Sequence, residues 1–179
     1  PSLKRKLQTV LTCCLFIVMA IALIGCSGSE SSQGKVLELY QNLFAGLSEE
    51  EYADYQEWQS SAQTAEEGLG MVSAEPEAVP SWLKERFESL TTPDCFNNIL
   101  GQSLFIIPVS AYEKGYTVDT PKTKVTQTDS GYEITGTLTL KKDGSEQQAD
   151  VSVSVQLNEE GRISFLRINN LSDVTTLLA

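Results

Sequence analysis

The second half of the chain alternates apolar and polar residues, which is the pattern of a β-strand buried on one face only. From Tyr132 to Leu140 every second residue is apolar or glycine, and from Ala149 to Leu157 every second residue is aliphatic. Asp143-Gly144 lies between the two runs and is a strong signal for a tight hairpin. Because a sheet with one apolar face must cover it, the alternation predicts an antiparallel sheet packed against other elements.

Two shorter segments extend this predicted sheet to four strands. Residues 122–128 form a polar strand before the turn Asp129-Ser130-Gly131, and residues 163–168 form a last strand. The apolar residues of the last strand change phase between Phe165 and Leu166. A β-bulge, or a strand buried on both faces, explains such a change.

The first half of the domain has helical spacing instead. Apolar residues three and four positions apart predict a helix over about 35–46 and three more that follow it. Ser48 and Glu51 fit a capping box at the start of the second helix. Ser81 is the predicted N-cap of the third, and Thr92-Pro93 gives the fourth an N-cap followed by proline.

Two segments lack a clear period. Residues 60–80 are small and acidic, with glycines and prolines, and predict a loop, either throughout or after a helical extension at its start. Residues 103–114 fit either a strand or a helix, because Pro108 interrupts an apolar run. Helices first and a curved antiparallel meander last predict an α+β domain with the helices packed on one side of the sheet.

The N-terminus has the anatomy of an export signal. Lys4-Arg5-Lys6 precedes an apolar run over residues 10–24. At helical rise this run is about 23 Å long, which is short of the ~30 Å hydrocarbon core of a membrane. The run ends in Leu23-Ile24-Gly25-Cys26, which resembles the bacterial lipobox. The resemblance implies cleavage after Gly25 and a diacylglycerol thioether on Cys26; an uncleaved N-terminal anchor and an ordinary signal peptide cut elsewhere are the alternatives.

These features predict four segments. Residues 1–25 are a lipoprotein signal peptide, and residues 26–34 are the lipidated cysteine with a flexible Gly/Ser-rich tether. Residues 35–170 form the folded domain, and residues 171–179 are a C-terminal tail. The predicted location is the outer face of the cytoplasmic membrane, with the lipid on Cys26 as the membrane contact.

Charge limits the partners of this protein. The chain has a net charge of −11, and residues 30–94 account for −11 against −3 for residues 95–179. A strongly acidic surface repels nucleic acids and anionic lipid, so neither is an expected partner. Of the four cysteines only Cys95 lies in the predicted domain, so the mature form has no intramolecular disulfide.

The strand pattern resembles that of NTF2-like (cystatin-like) lipoproteins of Gram-positive bacteria. The similarity covers about residues 35–170, and its specific part is Gly115-Tyr116, a polar strand, Gly131-Tyr132, a long hairpin and then Glu160-Gly161-Arg162-Ile163. The resemblance implies a cone whose sheet wraps the helices, with a pocket at its wide end. It implies little about activity.

Aromatic residues supply a candidate pocket for a small-molecule or peptide ligand. A ring with a polar tip suits the mouth of such a cone. Arg167 is the cation expected among apolar strand neighbours, where it can anchor an anionic ligand or pair with an acid. The alternative is that most of these rings are core. The candidate pocket residues are Tyr52, Tyr55, Trp58, Trp82, Tyr112 and Arg167, within an aromatic set that also includes Phe87, Tyr116 and Tyr132.

The chain has no histidine, which removes Ser-His-Asp and Cys-His catalysis and histidine metal ligands. Glu133 and Asp150 are predicted on the polar face of the sheet, away from any apolar pocket. Glu49-Glu50-Glu51 is better explained by the positive end of a helix than by a calcium site. Cys95 is either activated by its helix N-terminus or silenced by burial. The sequence therefore predicts no catalytic residue, cofactor or metal.

Three functions fit these observations. The favoured one is a lipid-anchored, non-catalytic binding or interaction module outside the cytoplasmic membrane. The second is an enzyme with a catalytic carboxylate in the pocket, because the NTF2-like proteins that this chain resembles include isomerases and dehydratases. The third is an accessory subunit of a cell-envelope or conjugation complex, which would have an envelope protein as its partner.

Overall fold

Helices form the first half of the domain and an antiparallel sheet forms most of the second, in a computed structural model that describes residues 27–66 and 79–178. The helices are α1 (Ser27–Phe44), α2 (Glu49–Glu66), α3 (Ser81–Phe87), α4 (Pro93–Gly101), α5 (Ile106–Glu113) and α6 (Leu171–Thr176). The strands are β1 (Thr117–Thr128), β2 (Gly131–Lys142), β3 (Ser145–Leu157) and β4 (Ile163–Ile168), which pair antiparallel in that order. The fold is α+β, with helices followed by a curled antiparallel sheet, as the sequence predicts.

The chain divides between Gly34 and Lys35, and the second unit carries the sheet and the core. Helix α1 begins at Ser27, so residues 27–34 are helical where a flexible tether was expected. A helix that is already formed extends at one hydrogen bond per added residue, which serine and glycine weaken but do not forbid. The predicted signal peptide, residues 1–25, the predicted lipidation site Cys26 and residues 67–78 of the predicted loop lie outside the described residues.

Two of the three predicted caps are confirmed. The N–H of Glu51 donates to Ser48 Oγ at 3.1 Å while the N–H of Ser48 donates to Glu51 Oε2 at 2.7 Å, which completes the capping box of α2. Thr92 Oγ1 accepts from an N–H of α4 at 3.3 Å. The prediction of Ser81 as a cap is wrong. Pro80, with ψ of 136°, is the last residue outside α3, so Ser81 is already helical.

The ambiguous segment over residues 103–114 is largely helical. Pro108 lies in the first turn of α5, where its missing N–H has no partner within the helix to lose. Strand β1 begins at Thr117, before the expected start, because its pairing continues on both sides of a bulge between Asp119 and Lys122. The bulge holds Pro121, which has no N–H for a regular ladder.

The turns and the bulge of the last strand agree with the sequence. Asp143 and Gly144 have φ of 50° and 79°, which is the left-handed backbone that a two-residue hairpin turn requires. The pairing of β3 with β4 shifts at Leu157, and this bulge accounts for the change of phase. As a result Leu166 is buried whereas Phe165 is 41% exposed.

Gly136 is the place where α1 lies closest to the sheet. A Cβ atom at this position would overlap the hydroxyl oxygen of Tyr40 and lie 2.7 Å from the carbonyl oxygen of Lys122. Only glycine leaves room for both, because a real side chain would push α1 or β1 away. The tyrosine of α1 therefore fills the space that the missing side chain of β2 leaves.

The predicted C-terminal tail is wrong, because residues 171–178 are part of the core. Val174 on α6 is completely buried and Leu178 is 6% exposed, and Lys114 Nζ donates to the carbonyl of Leu178. Leu171, Val174 and Leu178 repeat at helical spacing, but the segment is too short for that period to stand out. The largest fully buried side chains of the core are Tyr40, Phe44, Phe87, Phe105, Leu39, Leu43, Leu83, Ile99, Ile107, Ile134, Leu138 and Leu140.

Candidate functional site

Five of the six predicted pocket residues lie together. Tyr52 and Tyr112 stack with ring centroids 4.6 Å apart, which joins α2 to α5. Phe105, which the sequence did not single out, links the rest of the cluster. Its ring lies 6.0 Å from Tyr55, 6.4 Å from Trp58 and 6.0 Å from Trp82.

Half of this aromatic cluster is core. Tyr55 is 7% exposed, Trp82 4% and Phe105 1%, so these rings support the surface and do not line a pocket. Tyr52, Trp58 and Tyr112 are half-buried. Trp58 lines a depression of about 300 Å³ beside Asp54, Glu57 and Pro80. Helical spacing identified the inward face correctly, but it could not tell a buried ring from one at the surface.

Arg167 does not belong to the cluster, contrary to the prediction. It is exposed on β4 and pairs with Ser154 of β3, on the outer, polar face of the sheet. The bulge at Leu157 causes this, because one extra residue moves every following side chain to the opposite face. The expected apolar neighbours of Arg167 therefore point away from it.

Tyr112 lines one wall of a groove of about 570 Å³, which we call the tyrosine groove. The buried Pro108 of α5 and the half-buried Tyr116 also line it. The α1–α2 loop and the start of β1 contribute the rest of the lining. The tyrosine groove is defined by Gly46, Leu47, Pro108, Tyr112, Gly115, Tyr116, Thr117 and Val118.

Polar groups surround the outer part of the stacked tyrosines. The hydroxyl of Tyr52 donates to Glu113 Oε1 at 3.1 Å and accepts from Gln56 Nε2 at 2.9 Å. Desolvation first, and the nearby Glu113 carboxylate second, raise the pKa of Tyr52 above its ordinary value of 10.0. Tyr52 is therefore a neutral hydrogen-bonding group at physiological pH, and it holds the ring of Tyr112 in place.

The second tyrosine of the groove is fixed from the sheet. Gln147 Nε2 donates to the hydroxyl of Tyr116 at 3.3 Å, and Lys142 Nζ lies 5.5 Å from the ring centroid. Lys142 also donates to the carbonyl of Lys114 at 2.7 Å. Tyr116 thus offers its ring to the groove while its polar tip and one face are bound to neighbours.

Arg86 fixes the α1–α2 loop, which contributes Gly46 and Leu47 to the groove. Its guanidinium donates to the carbonyl of Ala45 at 3.0 Å and to that of Gly46 at 3.1 Å. It also forms an ion pair with Glu51 at 2.7 Å and lies 4.8 Å from the ring centroid of Trp82. A guanidinium has the planar set of donors that can serve several carbonyls at once. The α1–α2 loop is therefore attached to α2 and α3 through Arg86.

Two other concave surfaces lie on the domain. A depression of about 500 Å³ on the sheet is polar, with Lys122, Lys124 and Asp150 among its residues. A groove of about 450 Å³ runs between α4 and β4, and we call it the α4–β4 groove. Glu133 and Asp150 are exposed, which confirms the predicted polar face.

Cys95 has the environment of a structural thiol. Its side chain is 3% exposed, and burial raises the pKa of its thiol from 9.0 to about 11. Desolvation therefore outweighs the stabilising effect of the α4 N-terminus on the thiolate. The alternative of an activated thiol at this position is not supported.

The described residues show neither a metal-binding cluster nor a membrane-spanning helix. Within residues 27–66 and 79–178, no group of three or more Asp, Glu or Cys side chains is arranged to hold a metal ion. In the same part of the chain, no helix is long and apolar enough to cross a membrane.

The tyrosine groove has the chemistry of a binding surface. Its lining combines two tyrosine rings with the aliphatic side chains of Leu47, Pro108 and Val118, and its polar side-chain groups are the hydroxyls of Tyr112, Tyr116 and Thr117. Sequence reasoning placed Tyr112 in the candidate pocket and Tyr116 only in the wider aromatic set, and it missed Val118, which follows the turn at Gly115. Comparison with protein families, with curated proteins and with solved structures found no match for this chain.

Proposed function

We propose that this protein is a lipid-anchored lipoprotein of the outer face of the cytoplasmic membrane, whose domain binds a short peptide without transforming it. Two features support the proposal. The lipobox-like Leu23-Ile24-Gly25-Cys26 precedes the domain in the sequence. Helices followed by a curled four-stranded sheet are also compatible with an NTF2-like cone.

The observation that carries the binding function is the tyrosine groove. Its volume of about 570 Å³ lies within the range of roughly 300–1,000 Å³ that is typical of ligand pockets. Tyrosine rings offer large contact areas at little cost in side-chain entropy. Aromatic-lined grooves are suited to extended peptides that contain proline, because such peptides are already ordered before they bind.

The composition of the groove favours binding over catalysis. Among the described residues that line it, none is an Asp or a Glu. Glu113, which follows the groove residue Tyr112 in the chain, is exposed and accepts the hydrogen bond of Tyr52. A general acid or base must reach the reacting atoms, and this carboxylate is turned toward a structural partner.

A selection with random short peptides displayed on phage tests this function. The bait is the full chain, and a Tyr116→Ala variant is used to remove peptides that bind elsewhere. We expect recovered peptides to contain proline or aromatic residues and to lose at least about tenfold in affinity for Tyr116→Ala, which is the value of one well-packed aromatic contact.

Phe165→Ala is the matched control, because Phe165 is also an aromatic residue at the surface but lies on β4. It should leave the affinity of these peptides unchanged. The proposal is wrong if no peptide depends on Tyr116, or if a recovered peptide is cleaved or modified by the protein.

A further inference from the structure

The two edge strands of the sheet differ in how they are protected. On β1 the edge carries Pro121 at a bulge together with exposed Lys122 and Lys124. Proline, bulges and lysines are the devices by which an edge strand avoids pairing with another chain. Strand β4, with the sequence Ile-Ser-Phe-Leu-Arg-Ile, has neither proline nor lysine, and its own bulge lies at its start, between Ile163 and Phe165. The part of β4 that follows this bulge is thus the edge left suitable for strand pairing.

Two residues of β4 direct their backbone N–H and C=O groups toward this open edge. The N–H of Asn169 donates to the carbonyl of Ser152 at 2.8 Å, so Asn169 faces β3. Because the direction alternates along an antiparallel strand, Arg167 faces β3 as well, and the N–H and C=O groups of Leu166 and Ile168 face outward. The covered part of the edge is its start, where Thr92 N–H donates to the carbonyl of Ile163 at 2.8 Å.

The open part of the edge borders the α4–β4 groove, whose volume is about 450 Å³. On the outer face of the sheet, Phe165 is 41% exposed and Arg167 is exposed beside it. On the groove side, Asp94, Asn98 and Gln102 follow one another at one-turn spacing along α4. An apolar ring, a guanidinium and a polar stripe therefore surround the unpaired backbone groups.

We propose that two copies of this chain pair through β4, antiparallel and centred on Leu166, to form a continuous eight-stranded sheet. With Leu166 opposite its own copy, Phe165 of each chain lies opposite Arg167 of the other. Both residues are on the outer face, where the guanidinium can pack against the ring. The surface is therefore complementary to itself, as a two-fold interface must be.

The polar stripe of α4 lies in the same groove as the centre of the proposed pairing, because Asn98 and Leu166 both line it. Asp94 and Gln102 lie one turn to either side of Asn98. A two-fold axis near Asn98 would bring Asp94 opposite Gln102 of the second copy, which pairs a carboxylate with an amide donor.

Charge also favours this edge over the rest of the surface. Residues 95–179, which include β4, have a net charge of −3, whereas residues 30–94 have −11. Two copies that meet at β4 keep their most acidic segment out of the strand interface. The tyrosine groove borders β1, at the opposite edge of the sheet. The tyrosine groove of each copy therefore remains open in such a dimer.

The test is the mass of the full chain in a mild detergent, measured by sedimentation with the detergent contribution subtracted. Wild type should be a dimer. Phe165→Arg places a cation opposite Arg167 and should raise the dimer dissociation constant at least about tenfold. Adding Arg167→Glu to Phe165→Arg replaces that repulsion with an ion pair and should restore the wild-type constant.

Gln127→Arg, an exposed position on β1, is the matched control and should leave the dimer unchanged. Circular dichroism checks that each variant is folded, which is expected because both β4 positions are exposed. A monomeric wild type, even one that binds a strand of another protein along β4, overturns the proposal. So does a dimer that is insensitive to Phe165→Arg, or one that the added Arg167→Glu fails to restore.

Discussion

Gly136 shows how a single residue controls the contact between the helices and the sheet. Its missing side chain admits the ring of Tyr40, whose hydroxyl is buried close to the side chain of Thr123. We expect Gly136→Ala to lower the free energy of unfolding by about 1–3 kcal/mol, which is the usual cost of overfilling a core. Urea unfolding of the full chain measures this.

Gly101 provides the control, because it ends α4 and a Cβ there would meet nothing within 4 Å. Gly101→Ala should raise the free energy of unfolding by about 0.5–1 kcal/mol, since alanine reduces the entropy of the unfolded chain. Adding Tyr40→Phe to Gly136→Ala should recover part of the loss, because it removes the overlapping oxygen. Equal effects of the two glycine substitutions would disprove the steric explanation.

Single residues also explain why the site was predicted only in part. Arg167 was expected in the core because its neighbours are apolar, but one extra residue at the bulge turns it outward. The bulge itself could be inferred from the phase of Phe165 and Leu166. Its location could not, because a bulge between the two residues and one before them give the same pattern of apolar letters.

At the scale of the element, the caps and turns were predictable because their signals are local. Ser48 and Glu51 satisfy each other within one turn, and Asp143-Gly144 adopts the backbone its residues favour. The tyrosine groove was not predictable in full, because it joins Leu47 of the α1–α2 loop to residues 108–118, which are about 60 positions further along the chain. The hydrophobic periodicity of a segment does not indicate which helix packs beside which strand.

Helix α6 is the element whose role differs most from the prediction, and Val174 tests it. Val174 is completely buried, whereas its neighbour Thr175 is exposed. We expect Val174→Asp to lower the free energy of unfolding by about 3 kcal/mol or more, because it buries a carboxylate without a partner. Thr175→Asp should change it by no more than about 0.5 kcal/mol.

Both variants can be measured by chemical denaturation at pH 7, where the added carboxylates are ionised in the unfolded chain. If residues 171–178 were a tail, the two substitutions would have the same small effect. A similar large loss for both would instead mean that the added charge, and not the burial of Val174, destabilises the chain. Either result would contradict the explanation from burial.

At the scale of the whole molecule, the proposed lipid must work against the charge of the domain. The chain has a net charge of −11, and removal of a signal peptide with Lys4, Arg5 and Lys6 would make it three units more negative. Such a domain is repelled by anionic lipid. An acyl chain contributes about 0.8 kcal/mol per buried CH₂, and a single chain anchors only marginally, so the two chains of a diacylglycerol are needed.

Cys26→Ala tests this balance in cells that process bacterial lipoproteins. We expect the variant to leave the membrane fraction, or to remain there only as an uncleaved and longer chain, since the peptidase acts after lipidation. Cys14→Ala is the matched control, because it makes the same substitution in the apolar run and leaves Leu23-Ile24-Gly25-Cys26 intact. It should fractionate with the membrane as wild type does. A Cys26→Ala protein of mature length in the membrane in undiminished amount would show that the domain is held by something other than its lipid.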